Sequence, residues 1–416
     1  MPTPTYAALL PETGYHWGVE PSSGPTAVTF SFMAADPQVY ADFRPLTEGE
    51  RAAARQALAE WSKVADIAFT EVEGDGQIRF AVGNLDGNAI GMTRWWSVSD
   101  DAGGAEIVSA EVWVDRSSPL AFEPGGSGLR VLLHEIGHAI GLQHPLENDP
   151  ENSATEQTTL MAYAGHPDMP GVSAETPMVD DIAAVQSIYG PNLATEAGDS
   201  LYRWPDNPTF IQTLYDAGGI DTLDLSNLVR GAVADLRPGS LSSVGSYGAG
   251  PARDNLGIAH GTVIENAVGS AHPDAIVGND AANRLQGGGG ADLLAGGGGA
   301  DQFVFASPAD GGDAILDFTA GEDELVFIPE PFGFAGALLA GDSFVALTAP
   351  YDGANGTGGA WQAGRPALVY DAAANLYYDA DGAAGGFTLL ASLPEGTPLG
   401  ADDLRLDTLA ADYGVA

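Results

Sequence analysis

The chain has 416 residues, enough for two or three domains that each bury a core. Its 57 acidic residues against 15 basic ones give a formal charge of −42, which argues against nucleic acid and anionic membrane surfaces as partners, because both require Lys/Arg clusters. With no cysteine, disulfides and thiolate metal sites are excluded.

Residues 1–13 read as a short N-terminal extension, without the basic start and long apolar run of a signal peptide. No apolar stretch approaches the ~20 residues of a membrane span. Residues 14–190 read as a globular unit of helix and sheet. Val28 to Met33 is a predicted strand, rich in β-branched and aromatic residues. Thr47 is placed to cap a helix reaching Val64, with Glu48 and Glu50 in its first turn and Ala54, Leu58, Trp61 and Val64 on one buried face. Strands are predicted at Ile67–Val72, Ile78–Val82 and Ala110–Asp115.

A helix over Gly128 to Ile140 carries the most informative stretch, His134-Glu-Ile-Gly-His-Ala-Ile-Gly-Leu-Gln-His-Pro145. His134 and His138 lie one turn apart on the same helix face, where two imidazoles can grip one ion. Glu135 projects beside them, within reach of a water on that ion. Gly141 can end the helix in the left-handed conformation and let the chain turn back to present His144. Three neutral imidazoles plus one open position is the ligand set of a catalytic zinc. His16, His166, His260 and His272 stand apart and read as surface or turn residues, with His166 the one expected near the cleft.

From about Ala194 glycine and aspartate rise and helical periodicity disappears. Residues 287–295 and 296–304 both fit Gly-Gly-x-Gly-x-Asp-x-U-x, with U large and apolar, the repeat of a calcium-bound parallel β-roll. Nonapeptides 269–277 and 278–286 keep the frame but degrade it: His272 and Ala281 replace the fourth-position glycine, and Asn283 takes the Asp slot. The glycines let carbonyls turn inward and the aspartates add carboxylate oxygens, which suits calcium. Ile276, Leu285, Leu294 and Phe303 are the expected apolar stack. Residues 311–327 read as a strand and turn closing the roll, and Ala367–Asp371 with Asn375–Gly382 as a hairpin.

Together these residues resemble the serralysin family, secreted bacterial zinc endopeptidases of the metzincin clan, over most of 14–330. Pro145 after the last histidine is typical of that family. Thr159-Leu-Met-Ala-Tyr163 resembles its Met-turn, with Ala162 where Ser is usual, and Pro177–Gly190 resembles the helix closing its protease domain. Tyr215–Asp224 and Ile258–Ala267 resemble the entry to its roll. The resemblance implies an α+β metzincin protease domain (twisted sheet plus active-site helix) over 14–190. An all-β parallel β-roll follows over 191–330, then a β-rich region, 331–416, holding an export signal. It implies one catalytic Zn2+ on His134, His138 and His144, with Met161 as an apolar floor, Glu135 as general base and Tyr163 as a mobile extra ligand and oxyanion partner. It implies structural Ca2+ ions at Asp216, Gly218, Asp221, Glu265, Asp274, Gly288, Gly290, Asp292, Gly297, Gly299 and Asp301, fewer than in longer rolls. Ala110–Asp115 resembles the edge strand that metzincins lay along a peptide substrate.

The implied protein is an extracellular monomer that cleaves proteins and leaves the cell through a type I (ABC) exporter, although Ala411–Ala416 fits the family's ending only loosely. One rival is a calcium-dependent adhesive protein with a vestigial protease domain, against which the intact motif residues speak. Another is a cytosolic zinc peptidase, against which the calcium repeats speak, since cytosolic calcium is too scarce to fill weak sites.

Overall fold

The computed structural model describes residues 5–11, 14–18, 24–85, 87–99, 105–145, 154–334, 338, 343–353, 364–381 and 386–407. Two compact units divide the chain. The first holds Met1–Thr195, Thr209–Ala217 and Arg253–Thr262, and the second holds Glu196–Pro208, Gly218–Ala252 and Val263–Ala416.

The first unit is built on a seven-stranded sheet. Its strands are β1 (Tyr15–His16), β2 (Thr26–Phe32), β3 (Ala41–Arg44), β4 (Ile67–Glu71), β5 (Ile78–Asn84), β6 (Gly91–Ser99) and β7 (Ala105–Asp115). The order β1-β7-β5-β2-β4 is parallel, while β3 pairs antiparallel with β5 and β6 antiparallel with β7. Helix α1 (Glu48–Val64) starts at Thr47 as expected. The Thr47 amide donates to Glu50 Oε2 at 2.7 Å and the Glu50 amide to Thr47 Oγ1 at 3.4 Å, a reciprocal cap that satisfies two otherwise orphaned donors. Ala54, Leu58, Trp61 and Val64 are buried on one face, as their spacing predicts. Helix α2 (Ser127–Ala139) and helix α3 (Val179–Tyr189) complete the unit.

One expectation is overturned here. Ala110–Asp115 is not an edge: within β7 it pairs with β5 on one side and β6 on the other, and its side chains are buried. Successive residues Val112, Trp113 and Val114 are all buried, which a strand covered on both faces requires. The outer strand is β6, which among the described residues pairs only with β7.

In the second unit, short parallel strands alternate between two sheets. One contains Asn266–Val268, Arg284–Gln286, Gln302–Phe305 and Glu324–Phe327; the other contains Ala275–Val277, Leu293–Ala295 and Asp313–Ile315. Ala275 pairs with Leu293 and Arg284 with Gln302, so each full coil takes two nonapeptides. Ile276, Leu285, Leu294 and Phe303 are each at most 1% exposed, the apolar stack that the repeat predicts. Beyond the repeats, Ala367–Tyr370, Asn375–Asp379 and Phe387–Ser392 form antiparallel pairs that continue the second sheet, and Leu404–Leu406 continues the first. Residues 411–416 lie outside the described residues.

Candidate metal centre and catalytic cleft

Helix α2 sets His134 and His138 on one face, and its end is locked in several ways. The Trp17 indole donates to the Ala139 carbonyl at 2.9 Å and the Tyr189 hydroxyl to the Ile140 carbonyl at 2.9 Å. Gly141 has φ +106°, and a Cβ there would run into the Tyr15 carbonyl, so only glycine makes this reversal. The chain then returns to bring His144 Nε2 within 3.1 Å of His134 Nε2 and 3.0 Å of His138 Nε2.

His134 Nδ1 donates to the Leu160 carbonyl at 2.7 Å and His138 Nδ1 to the Leu142 carbonyl at 2.9 Å. With those protons committed, both Nε2 atoms present lone pairs toward His144 Nε2. One proton cannot satisfy three converging nitrogens, whereas one cation can. A tetrahedral zinc with bonds of about 2.0–2.1 Å sets its nitrogens roughly 3.3 Å apart, close to what is seen. Burial holds both imidazoles neutral, His138 down to about 4 and His134 well below its ordinary value. Among the described residues these three form the one cluster of at least three His or acidic side chains spaced to hold a metal ion.

Glu135 is 6% exposed and points into the same cleft. The Thr93 hydroxyl on β6 lies 2.8 Å from both its Oε2 and its carbonyl. Burial pushes the Glu135 carboxyl up to about 7. Beside it, Gly91 leaves room that a side chain would take: a Cβ there would press on Glu135 Oε1 and Val131. The cleft encloses about 520 Å3 between β6 and α2.

The floor beneath the histidines is the turn at 159–163. Met161 is fully buried, and Gly137 on α2 lets its sulfur approach, since a Cβ there would lie 2.7 Å from Sδ. Asp181 on α3 organises the turn: it accepts from Thr159 Oγ1 at 2.6 Å, the Leu160 amide at 2.7 Å and the Met178 amide at 2.9 Å. Leu160 thus links Asp181 to His134 through its own amide and carbonyl. The Ala162 carbonyl accepts from Arg130 Nη2 at 2.8 Å, and Arg130 forms a buried ion pair with Glu156. Tyr163 is 67% exposed, with its hydroxyl 3.1 Å from His144 Nδ1, the ring nitrogen facing away from the convergence point. His166 is buried rather than at the surface, 3.2 Å from the Asp254 carbonyl, and is not among the residues that line the cleft.

Residues 24–190 match the Matrixin family and residues 180–328 match the family described as Peptidase M10 serralysin C terminal. Over 426 residues the chain is 30% identical to the metalloprotease AprA of Pseudomonas entomophila, covering 89% of this chain and 83% of that protein. The chain belongs to the serralysin family of metallopeptidases. Metallopeptidase AprA of Pseudomonas marginalis is 33% identical over 328 residues, 68% of each chain. A serralysin of Photorhabdus laumondii is 29% identical over 324 residues, 68% of this chain and 66% of that one. The chain thus spans just under two thirds of the length of that Photorhabdus relative. The serralysin family implies a catalytic zinc, and the three histidines fit it.

In the serralysin-type roll, Gly288, Gly290, Gly297 and Gly299 all have positive φ, from +88° to +134°, as inward-turned carbonyls require. An aspartate ladder runs along each side. The Asp274 amide donates to Asp292 Oδ1 at 2.8 Å and the Asp292 amide to Asp313 Oδ1 at 3.0 Å. Opposite, the Asn283 amide donates to Asp301 Oδ1 at 2.8 Å and the Asp301 amide to Asp323 Oδ1 at 3.0 Å. Asp292 Oδ2 is buried without a hydrogen-bond partner among the described residues, an orphan acceptor that a calcium ion would satisfy. Burial pushes Asp292 and Asp301 up to about 6. Asp313 and Asp323 extend the ladders where the nonapeptide spacing lapses, which is why sequence reasoning missed them. Asp221 is buried in this unit and its amide donates to Glu265 Oε2 at 2.8 Å; Gly218 has φ +141°. Asp216 belongs to the first unit, where its amide donates to Thr262 Oγ1 at 3.0 Å.

Proposed function

We propose that the chain is a secreted zinc endopeptidase whose roll is stabilised by calcium. The observation that carries the reading is the convergence of the His134 and His138 Nε2 atoms, each within 3.1 Å of His144 Nε2, in a cleft that also holds Glu135. Zinc, when bound by His134, His138 and His144, supplies Lewis-acid polarisation of the scissile carbonyl and lowers the pKa of water. Glu135 takes a proton from the attacking water on its carboxylate and passes it to the leaving amine. Thr93 holds that carboxylate in place, which keeps its free oxygen aimed into the cleft. The Tyr163 hydroxyl, which in this structure rests on His144 Nδ1, would swing into the cleft to act as an extra ligand or to donate a hydrogen bond to the developing oxyanion. An extended peptide adds to the open side of β6 through backbone hydrogen bonds.

Casein digestion should stop when zinc is chelated and return with one equivalent; digestion indifferent to zinc would contradict the reading. Calcium at Asp274, Gly288, Gly290, Asp292, Gly297, Gly299 and Asp301 suits a chain exported unfolded through a type I system and folded outside. Circular dichroism should show the roll gaining β-structure as calcium is titrated into calcium-free protein. A flat titration would rule that coupling out.

A further inference from the structure

The degraded nonapeptide 278–286 departs from the intact repeats at two buried positions. Its second position holds Asn279 in place of glycine and its sixth holds Asn283 in place of aspartate; both are buried, at 3% and 1% exposure. Asn283 Oδ1 accepts from the Asn279 amide at 2.7 Å, and Asn279 Oδ1 accepts from the Ala281 amide at 2.9 Å. A backbone N–H can only donate, so both side-chain amides are fixed with their NH2 groups on the other side. From there Asn283 Nδ2 donates to the Glu265 carbonyl at 3.0 Å and to Asn279 Oδ1 at 3.2 Å. Asn279 Nδ2 donates to the Ile264 carbonyl at 2.8 Å and the Leu236 carbonyl at 3.3 Å.

Calcium accepts only oxygen lone pairs, and here NH2 donors stand against the carbonyls that would otherwise turn toward an ion. The contrast with Asp292 is direct: that carboxylate keeps an orphan buried oxygen, whereas each Asn279 and Asn283 side-chain oxygen and nitrogen has a partner. We propose that the Asn279–Asn283 pair is a metal-free clasp that takes the place of a calcium ion at this rung, so the rung stays closed when calcium is removed. This rests on the reading that the intact repeats bind calcium.

The test uses the full chain and counts calcium by isothermal titration while following Tm in calcium and in chelator. Asn283→Ala should leave the calcium count unchanged and lower Tm by about 5 °C equally in both conditions. Loss of one equivalent, or a drop confined to calcium, would overturn the clasp. Asn279→Gly, Ala281→Gly and Asn283→Asp together restore the frame and should add one equivalent; an unchanged count would also overturn it. Should the truncated variant not fold, the isosteric Asn283→Asp serves instead. It turns an acceptor toward the Glu265 carbonyl while Asn279 still occupies the rung, so it should lower Tm in calcium and in chelator alike; a Tm equal to wild type in both would overturn the clasp. A wild type that binds no calcium refutes the calcium reading itself, and the Tm loss of Asn283→Ala in chelator still reports on the clasp alone.

Discussion

Replacing Glu135 by Gln should lower caseinolytic turnover by about 10^2–10^4-fold while zinc remains bound. The amide keeps the shape that fits beside Gly91 and the contact with Thr93, so the cleft is preserved and only the proton acceptor is lost. Zinc is retained because the three histidines are fixed independently: His134 by Leu160, His138 by Leu142 and His144 by the reversal at Gly141. Turnover and zinc content measured on the same preparation separate the two roles. Activity within tenfold of wild type would remove Glu135 from the mechanism, and loss of zinc would show that it helps to hold the metal.

The second large effect is expected at Asp181, far from any motif histidine in sequence. Its carboxylate satisfies three buried donors, and Asp181→Ala leaves all three without a partner. A loss of about 3–5 kcal/mol in urea unfolding follows if the site cannot relax. Because Leu160 donates to Asp181 and accepts from His134, the damage should also reach the metal: zinc should dissociate more readily from the folded variant. A variant as stable as wild type with undiminished zinc affinity would show that the Met161 turn holds itself.

The zinc motif was legible because its spacing is local. His134, Glu135 and His138 share two turns of one helix, and Gly141 marks the reversal by a conformation that side chains avoid. The U residues of the roll were legible for the same reason, since a nine-residue period sets which face each occupies. What the sequence hid are contacts made across long separations. Thr93 and Gly91 reach Glu135 from a strand whose Arg94 and Ser97 break simple alternation. Arg130 and Glu156 meet only once the turn at 159–163 is in place. In sequence Ala110–Asp115 reads as the substrate-side strand, and β6 takes that outer place instead, because β propensity marks a strand but not its neighbours in the sheet. Asn283 was visible as a lapse in the repeat; that its amide fills the gap needed the positions of Glu265, Asn279 and Ala281.

We propose that this cleft hydrolyses internal peptide bonds with zinc on His134, His138 and His144. Mass-spectrometric mapping of a peptide library digested by the purified chain tests it most directly, comparing native, zinc-stripped and zinc-restored protein in calcium. Internal cleavages should vanish on stripping and return with a single equivalent of zinc. Cleavage that persists without zinc, or a zinc-loaded and folded protein that leaves every peptide intact, would contradict it.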